Sequence, residues 1–238
     1  MKGKLYLIPV PISDSDYSDY IYPALEKTIN TLNTFIVEDL RTARRALRKI
    51  GFKNEFDKAV FYVLNEHSEK KEMTNFLELA EKGENIGLMS DAGMPCIADP
   101  GSEIVKIAHQ KGIGVVPLYG QSSVFLALAA SGLNGQHFIF HGYLPKSQPD
   151  RKKKLKEIDR LIHYSIQPSA SHIFIETPYR NKHLFEDILS CCSTQTLLCI
   201  AANVASDAEK IFTRSVEDWK KSPIPELDKQ PTVFLLGK

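Results

Sequence analysis

The segment from Leu88 to Ser102 contains the residues best suited to contact a ligand. Leu88 and Met89 end a predicted strand, and the next fourteen residues include two Gly, two Pro, two Asp and two Ser. Such a loop exposes main-chain N–H and C=O groups, because Gly has no side chain and Pro fixes φ. Open α/β sheets bind ligands in loops at the carboxyl ends of their strands. The loop is therefore a candidate binding site, with an ordinary long turn as the alternative.

Three carboxylates are candidates for acid–base chemistry. Glu38 and Asp39 stand directly before a helical pattern at Leu40–Ile50, and Glu176 lies at the end of a later predicted strand. Acidic residues at a helix N-terminus are stabilised by the helix dipole, so a purely structural role would explain the first two. A carboxylate beside a bound hydroxyl would instead act as a general base.

Basic side chains are concentrated in two predicted helices. The Leu40–Ile50 helix has one apolar face, and its cations lie largely elsewhere: Arg41, Arg44, Arg45, Arg48 and Lys49. The run Arg151–Lys156 opens another helix, where the dipole does not favour cations. This run indicates phosphate binding about as strongly as a solvated surface. The candidate phosphate ligands are Arg41, Lys152, Lys153 and Arg180.

Short β-rich runs alternate with helical patterns through the first half of the chain. Strands are predicted at Lys4–Val10, Thr34–Val37, Ala59–Leu64, Asn85–Met89 and Gly114–Pro117, and helices at Pro23–Leu32, Leu40–Ile50, Lys71–Lys82 and Glu103–Lys111. This alternation predicts a mainly parallel sheet with helices on both faces. Gly51 and Gly112 directly follow two of the helices and are predicted to cap them.

The second half is richer in strands and predicts a mixed sheet. Helices are predicted at Ser122–Ala130 and Arg151–His163, and strands at Gln136–Gly142, His172–Ile175, Thr196–Ala201, Lys210–Thr213 and Thr232–Leu236. Pro117 and Gly120 mark the junction between the halves. We therefore expect two α/β domains, residues 1–118 and 119–238.

Composition excludes several classes of protein. The 238 residues are 43% hydrophobic and 25% charged, as in ordinary globular proteins. The formal net charge is +1, so any attraction of nucleic acid must come from local patches. The four cysteines form no C-x-x-C pair, which argues against a zinc site or a disulfide framework. We find no signal peptide and no apolar run that would cross a bilayer, and we expect a cytoplasmic protein without a bound metal.

Eight short segments, taken in order, give a more specific signal. They are Ile8-Pro9-Val10-Pro11-Ile12, Val37-Glu38-Asp39-Leu40-Arg41, Ser90-Asp91-Ala92-Gly93-Met94-Pro95, Ala98-Asp99-Pro100-Gly101, Gly120-Gln121-Ser122-Ser123, Ala130-Ser131-Gly132-Leu133, Phe140-His141-Gly142-Tyr143-Leu144-Pro145 and Glu176-Thr177-Pro178-Tyr179-Arg180. No G-x-G-x-x-G follows the first predicted strand, where a Rossmann-type dinucleotide site would have it. With these segments the chain resembles the tetrapyrrole methylase family of S-adenosylmethionine (SAM) methyltransferases. It is most similar to the branch that methylates a ribose 2′-hydroxyl in small-subunit ribosomal RNA.

The resemblance implies two α/β domains with a cofactor cleft between them, SAM as the cofactor, ribosomal RNA as a partner, and a homodimer. It places Glu38, Asp39 and Arg41 near the active site and Glu176 at a strand end beside the cofactor. The implied cofactor residues are Pro11, Ser90, Asp91, Ala92, Gly93, Met94, Ser122 and Ser123.

The chain departs from the branch's pattern at several positions. Leu40 replaces a Thr, Gln121 replaces a Pro and Tyr179 replaces a His. These departures leave two alternatives open, a methyltransferase that acts on a small molecule such as a tetrapyrrole and a noncatalytic relative that binds SAM or RNA.

Overall fold

A computed structural model describes residues 1–13, 21–64, 68–164 and 170–238. Their contacts divide the chain into two compact units, Met1–Ser122 and Ser123–Lys238. The domain boundary proposed from the sequence, after Leu118, stays a prediction. None of the described helices combines the length and the apolar character that crossing a membrane requires.

The first unit is built on a parallel sheet. Its strands are β1 (Lys4–Leu7), β2 (Thr34–Val37), β3 (Val60–Val63), β4 (Ile86–Leu88) and β5 (Gly114–Pro117). They are arranged in the order β3-β2-β4-β1-β5, and each described pairing is parallel. The helices of this unit are α1 (Pro23–Ile29), α2 (Leu40–Lys49), α3 (Lys70–Asn75), α4 (Glu78–Glu81) and α5 (Gly101–Gln110), with a 3-10 turn at Phe56–Lys58. The predicted parallel sheet is confirmed.

Helices cover both faces of this sheet. From β1 to β3 the chain adds strands toward one side of the sheet, and after β3 it returns to add β4 and β5 in the opposite direction. Right-handed crossovers place α1 and α2 on one face, and α3, α4 and α5 on the other. The buried side chains divide in the same way. Ile8, Phe35 and Val37 pack with α1 and α2, whereas Leu5 and Ile36 pack with α4 and α5. Each face therefore has its own apolar core.

The element ends follow local chemistry. Gly51 (φ +93°) ends α2 as predicted, since its N–H and that of Phe52 donate to the carbonyls of Arg48 and Leu47. Gly112 (φ +63°) ends α5 with the same pair of bonds. The single helix predicted at Lys71–Lys82 is wrong. It divides into α3 and α4 at Phe76 and Leu77, two consecutive residues that are both buried.

The second unit has a mixed sheet, as predicted. Its strands are β6 (Phe138–Tyr143), β7 (Ser171–Glu176), β8 (Leu197–Ala202), β9 (Lys210–Ser215) and β10 (Thr232–Gly237). They are arranged in the order β6-β7-β10-β8-β9, and only the described β6–β7 pairing is parallel. Its helices are α6 (Ser123–Ser131), α7 (Gln148–Tyr164), α8 (Asn181–Cys191) and α9 (Val216–Lys221), with a 3-10 turn at Pro178–Arg180.

The sequence analysis did not predict α8 or α9. Both have signals in the sequence: Leu184, Phe185 and Ile188 are spaced as on one helical face and are buried against α7 and the sheet. Helix α9 is short, and Ser215 caps it by accepting a hydrogen bond from the N–H of Asp218 (3.0 Å).

Candidate functional site

The carboxyl ends of four parallel strands form one edge of the first unit's sheet. The loops that follow β1, β2, β4 and β5 hold Pro9–Pro11, Glu38–Asp39, Ser90–Gly93 and Gly120–Gln121. Neighbouring strands β1 and β4 lead to helices on opposite faces, so a crevice is expected between their loops. These residues are far apart in the sequence, and the parallel sheet brings them to the same edge.

Direct contacts join the loops at this edge. The N–H of Val10 donates to the Gly93 carbonyl (2.9 Å), and the N–H of Gly93 donates to the Val10 carbonyl (2.8 Å). Gly93 has φ +77°, a conformation that other residues adopt only with strain. At Gly120 a Cβ atom would lie only 2.0 Å from Pro9 Cβ, so a side chain there would displace the β1 loop. The loops after β1, β4 and β5 therefore approach closely because Gly occupies two of the contact positions.

Glu38 and Asp91 connect the loops after β2 and β4. The N–H of Asp91 donates to Glu38 Oε1 (3.1 Å), and the N–H of Asp39 donates to the Asp91 carboxylate. Burial raises the pKa of Glu38, helped by the charges of Asp99 and Asp91 and opposed by the Asp91 N–H. Burial and the neighbouring Asp39 charge also raise the pKa of Asp91.

Asp39 has a different role from its neighbour. Its carboxylate caps α2 by accepting a hydrogen bond from the N–H of Thr42 (2.7 Å). The hydrogen bonds with Thr42 hold the pKa of Asp39 below its ordinary value. A weakly basic, exposed capping carboxylate is a poor proton acceptor, so the geometry favours Glu38 over Asp39 as a base.

Asp99 is a polar residue at this edge that the sequence analysis did not select. Its Oδ1 accepts a hydrogen bond from the N–H of Gly101 (2.7 Å), and its carboxylate also accepts from the N–H groups of Cys96 and Ile97. Oδ2 is buried without a hydrogen-bond partner in the part of the chain that the structure describes. Burial raises the pKa of Asp99. The Asp-Pro-Gly turn before α5 was the signal that could have identified it.

The other predicted cofactor residues lie in different settings. Ser90 is buried, and its hydroxyl donates to the Ala92 carbonyl (3.1 Å). Ala92 is exposed, Met94 is half-buried, and Ser122 is buried as the last residue of the first unit. Ser123 begins α6 in the second unit. Residues Ser90–Gly93 therefore share one edge with Glu38, whereas Ser123 belongs to the other unit.

A pocket that is open to solvent lies beside the β1 and β5 loops. Its lining is mostly apolar: Pro9, Val10, Pro11, Ile21, Leu25, Ile50, Tyr119, Gly120 and Gln121. Of the predicted cofactor residues, only Pro11 lines it. The sequence analysis did not select Tyr119, whose N–H donates to the Tyr22 hydroxyl (2.8 Å).

Glu176 and Arg180 form an ion pair at the end of β7. The Glu176 side chain is fully buried, and its Oε1 accepts hydrogen bonds from Arg180 Nε (3.0 Å), Arg180 Nη2 and the N–H of Thr177 (2.6 Å). The second oxygen, Oε2, is buried without a partner among the described residues. Arg180, named from the sequence as a candidate phosphate ligand, is therefore held by a carboxylate.

The basic side chains at the start of helix α7 differ in whether they pair with a carboxylate. Arg151 is buried, and its guanidinium pairs with Asp187 of α8 (Nη2–Oδ2 2.6 Å). Lys152 also lies within ion-pair distance of Asp187 (3.4 Å), which places it beside a carboxylate rather than free for a phosphate. Lys153 is exposed and forms no salt bridge within the described residues, and the same is true of Arg41 on α2. The predicted start of this helix at Arg151 is wrong, because α7 begins at Gln148.

Comparison with known proteins identifies the family. The model of the tetrapyrrole (corrin/porphyrin) methylases matches residues 4–219. A ribosomal RNA small subunit methyltransferase I from Thermotoga maritima is 31% identical over an alignment of 243 positions. The alignment covers 99% of this chain and 99% of that protein. The protein of the same name from Haemophilus influenzae is 30% identical, with coverage of 93% of this chain and 73% of the relative.

Solved structures share the fold. The methyltransferase CobJ has a TM-score of 0.64 at 17% identity, covering 99% of this chain and 94% of its own. A uroporphyrin-III C-methyltransferase from Thermus thermophilus, complexed with S-adenyl homocysteine, has a TM-score of 0.55 at 12% identity, covering 99% and 98%. The family model spans most of the chain, and the relatives cover it almost end to end. This chain belongs to the tetrapyrrole methylase family.

Proposed function

We propose that this protein transfers a methyl group from SAM to ribosomal RNA, with a ribose 2′-hydroxyl as the acceptor. The observation that carries the proposal is the similarity to the Thermotoga maritima ribosomal RNA small subunit methyltransferase I, which extends over 99% of both chains. The carboxylates in the loops after β2 and β4 of the first unit also support it.

The residues at this edge suit SAM. SAM carries a positive sulfonium and an ammonium group, which three carboxylates complement: Glu38, Asp91 and Asp99. Oδ2 of Asp99, which has no partner within the described part of the chain, is a buried acceptor that an ammonium or hydroxyl donor would satisfy. Ala92 is exposed beside them, and its main-chain N–H would serve the adenine or ribose. When bound, SAM supplies a methyl group on an activated, positively charged leaving group.

The chain's own residues would then align the acceptor and remove its proton. Glu38 is the proposed proton acceptor, because its raised pKa makes it a stronger base than an ordinary carboxylate. Alignment in a site shielded from water supplies much of the rate for such a displacement. Arg41 and Lys153 are the proposed phosphate contacts, since neither is paired with a carboxylate within the described chain.

Radiolabelled methyl transfer tests the proposal. Purified protein is incubated with methyl-labelled SAM and an extract or 30S particles from a strain that lacks the gene, and digested RNA is analysed for a 2′-O-methyl nucleoside. We expect label in one nucleoside of small-subunit RNA. Label in a small compound would instead identify a substrate like those of the tetrapyrrole methylases. Tight SAM binding without any labelled product would identify a noncatalytic relative.

We also propose a cytoplasmic homodimer. Exposed apolar side chains on the second unit support the dimer: Phe125, Leu126, Phe138, Ile139 and Tyr143 are exposed, and β6 is an edge strand of the described sheet. Light scattering should give twice the monomer mass. Ile139→Lys should shift the protein toward monomer, and a parent protein that is monomeric at micromolar concentration would contradict the proposal.

A further inference from the structure

Tyr179 is a large aromatic residue on the surface of the second unit. Its relative exposure is 75%, and it lies in the 3-10 turn Pro178–Arg180 between β7 and α8. A single exposed Tyr is common on protein surfaces. What distinguishes Tyr179 is how firmly its turn is held.

Both ends of the turn are anchored in the interior. Before it, the buried Glu176 carboxylate accepts hydrogen bonds from Thr177 N–H and from Arg180, whose Nε also lies 3.1 Å from Thr177 Oγ1. After it, Asn181 is fully buried, and its Nδ2 lies within hydrogen-bond distance of Gln230 O (2.7 Å) and Thr232 Oγ1 (3.2 Å). Pro178 fixes one more dihedral within the turn.

This anchoring is costly for a simple connection. The buried Glu176 carboxylate has no hydrogen-bond partner for Oε2 among the residues that the structure describes, so it loses hydration without full compensation. A strand and a helix can be joined by a Pro turn without a buried ion pair. The pair instead restricts the backbone on both sides of Tyr179, so little conformational entropy is lost when the ring makes a contact.

We infer that Tyr179 stacks on an unpaired base of the RNA substrate, and that the Glu176–Arg180 pair is the positioning element that presents the ring. The inference rests on the proposed function and names a residue that recognises the substrate. Unpaired bases are recognised in RNA by stacking on aromatic side chains, and Arg180 places a cation next to the ring in sequence. Glu176 therefore acts through the turn rather than on the reacting atoms.

Binding to two short probes tests this contact in the full-length protein. One probe is a single-stranded 12-nucleotide oligoadenylate, and the other is an abasic strand of equal charge. Tyr179→Ala should raise the Kd for oligoadenylate about tenfold, whereas the Kd for the abasic strand should not change. Tyr179→Phe keeps the ring and should stay within twofold of the parent. Tyr164→Ala is the matched control, because Tyr164 is 81% exposed at the end of α7 in the same unit.

Fluorescence gives a second readout that loss of folding would not imitate. The chain has one tryptophan, Trp219, which is buried and donates to Leu198 O. In Tyr179→Trp, oligoadenylate should quench the added emission and the abasic strand should not. Adding Glu176→Gln, which removes the charge that holds Arg180, should weaken this quenching while Tyr164→Ala leaves it unchanged.

Three results would overturn the inference. In the first, Tyr179→Ala keeps the parental affinity for oligoadenylate. In the second, both probes quench the emission of Tyr179→Trp equally. In the third, Tyr179→Ala loses affinity for 30S particles but not for oligoadenylate, which would assign the ring to a protein contact. If the parent methylates RNA and Tyr179→Ala behaves like it, this inference alone fails. If the parent neither binds nor methylates RNA, the proposed function fails.

Discussion

At the scale of single residues, Glu38 and Asp39 show how neighbours in sequence acquire different chemistry. Asp39 accepts a hydrogen bond from Thr42 at the start of α2, which lowers its pKa. Glu38 is partly buried beside Asp99 and Asp91, and its pKa is raised. The helix dipole alone would treat both carboxylates alike, so the difference comes from contacts with the β4 loop.

Glu38→Gln should lower kcat about 100-fold, because an amide cannot accept the hydroxyl proton but can still accept the Asp91 N–H. Asp39→Asn is the matched control and should keep most of the activity, since Asn caps helices well. In the parent, kcat/KM should rise with pH through the pKa of Glu38. Asp99→Asn removes a neighbouring negative charge, so the acid limb should move to lower pH. Steady-state methyl transfer measures all of these values, and an unchanged kcat in Glu38→Gln would reject Glu38 as the base.

At the scale of elements, the loops after β1 and β4 depend on a glycine at their contact. Gly93→Ala should weaken SAM binding about tenfold in calorimetry, because a side chain is strained at φ +77° and its Cβ would lie 3.3 Å from Ile12. Gly112→Ala is the matched control, since Gly112 has φ +63° at the end of α5 and an added Cβ would meet Lys2 Nζ at an ordinary 3.9 Å. Both variants should lose about 1 kcal/mol of stability. Equal SAM affinity in the two would contradict the loop assignment.

Helix α7 has an exposed cationic face, separate from the buried ion pair between Arg151 and Asp187. Lys153, Lys156 and Arg160 are exposed and form no salt bridge within the described residues. Replacing all three by Ala should lower the slope of log K against log salt for RNA binding by about two units. Lys154→Ala is the control, because Lys154 already pairs with Glu157 (2.9 Å) and should change the slope less. If the triple variant binds with the parental slope, this face is only a solvated surface.

At the scale of the whole molecule, each unit has its own sheet and apolar core, and the second unit contains a histidine pair in which His172 is buried and His141 half-buried. His172 on β7 and His141 on β6 have stacked rings, with Nε2 of His141 2.9 Å from Nδ1 of His172. Burial, followed by the charges of His141, His137 and Lys154, lowers the pKa of His172 to about 4. An imidazolium there is unfavourable, so the stability of the fold should depend on pH.

The unfolded chain, with an ordinary His pKa near 6.5, binds more protons than the folded chain between pH 6.5 and 4. The free energy of unfolding should therefore be highest above pH 6.5 and fall by at most about 3 kcal/mol as the pH drops to 4. His172→Phe should flatten this dependence, as urea denaturation at several pH values would measure. His183→Gln, at an exposed position, should keep the parental dependence. Identical slopes in all three proteins would show that the buried pair does not control acid stability.

Local patterns in the amino-acid sequence were enough to predict the class of fold and the family. Alternating strand and helix patterns and capping glycines such as Gly51 are local signals, so the parallel sheet and most elements were predictable. Ordered short segments carried the family resemblance, and the turn-forming composition of Leu88–Ser102 was enough to make that segment a candidate binding loop. Helices α8 and α9 were missed although their spacing and capping signals were present.

Which polar groups remain available for chemistry depends on contacts between distant parts of the chain. The partner of Glu38 is 53 residues away at Asp91, and Arg151 pairs with Asp187, 36 residues away. Lys152 and Lys153 are indistinguishable by composition, yet only Lys152 lies beside that carboxylate. The pKa and the pairing of a charged group depend on distances and burial in three dimensions, because electrostatic interactions act through space and desolvation depends on surrounding atoms.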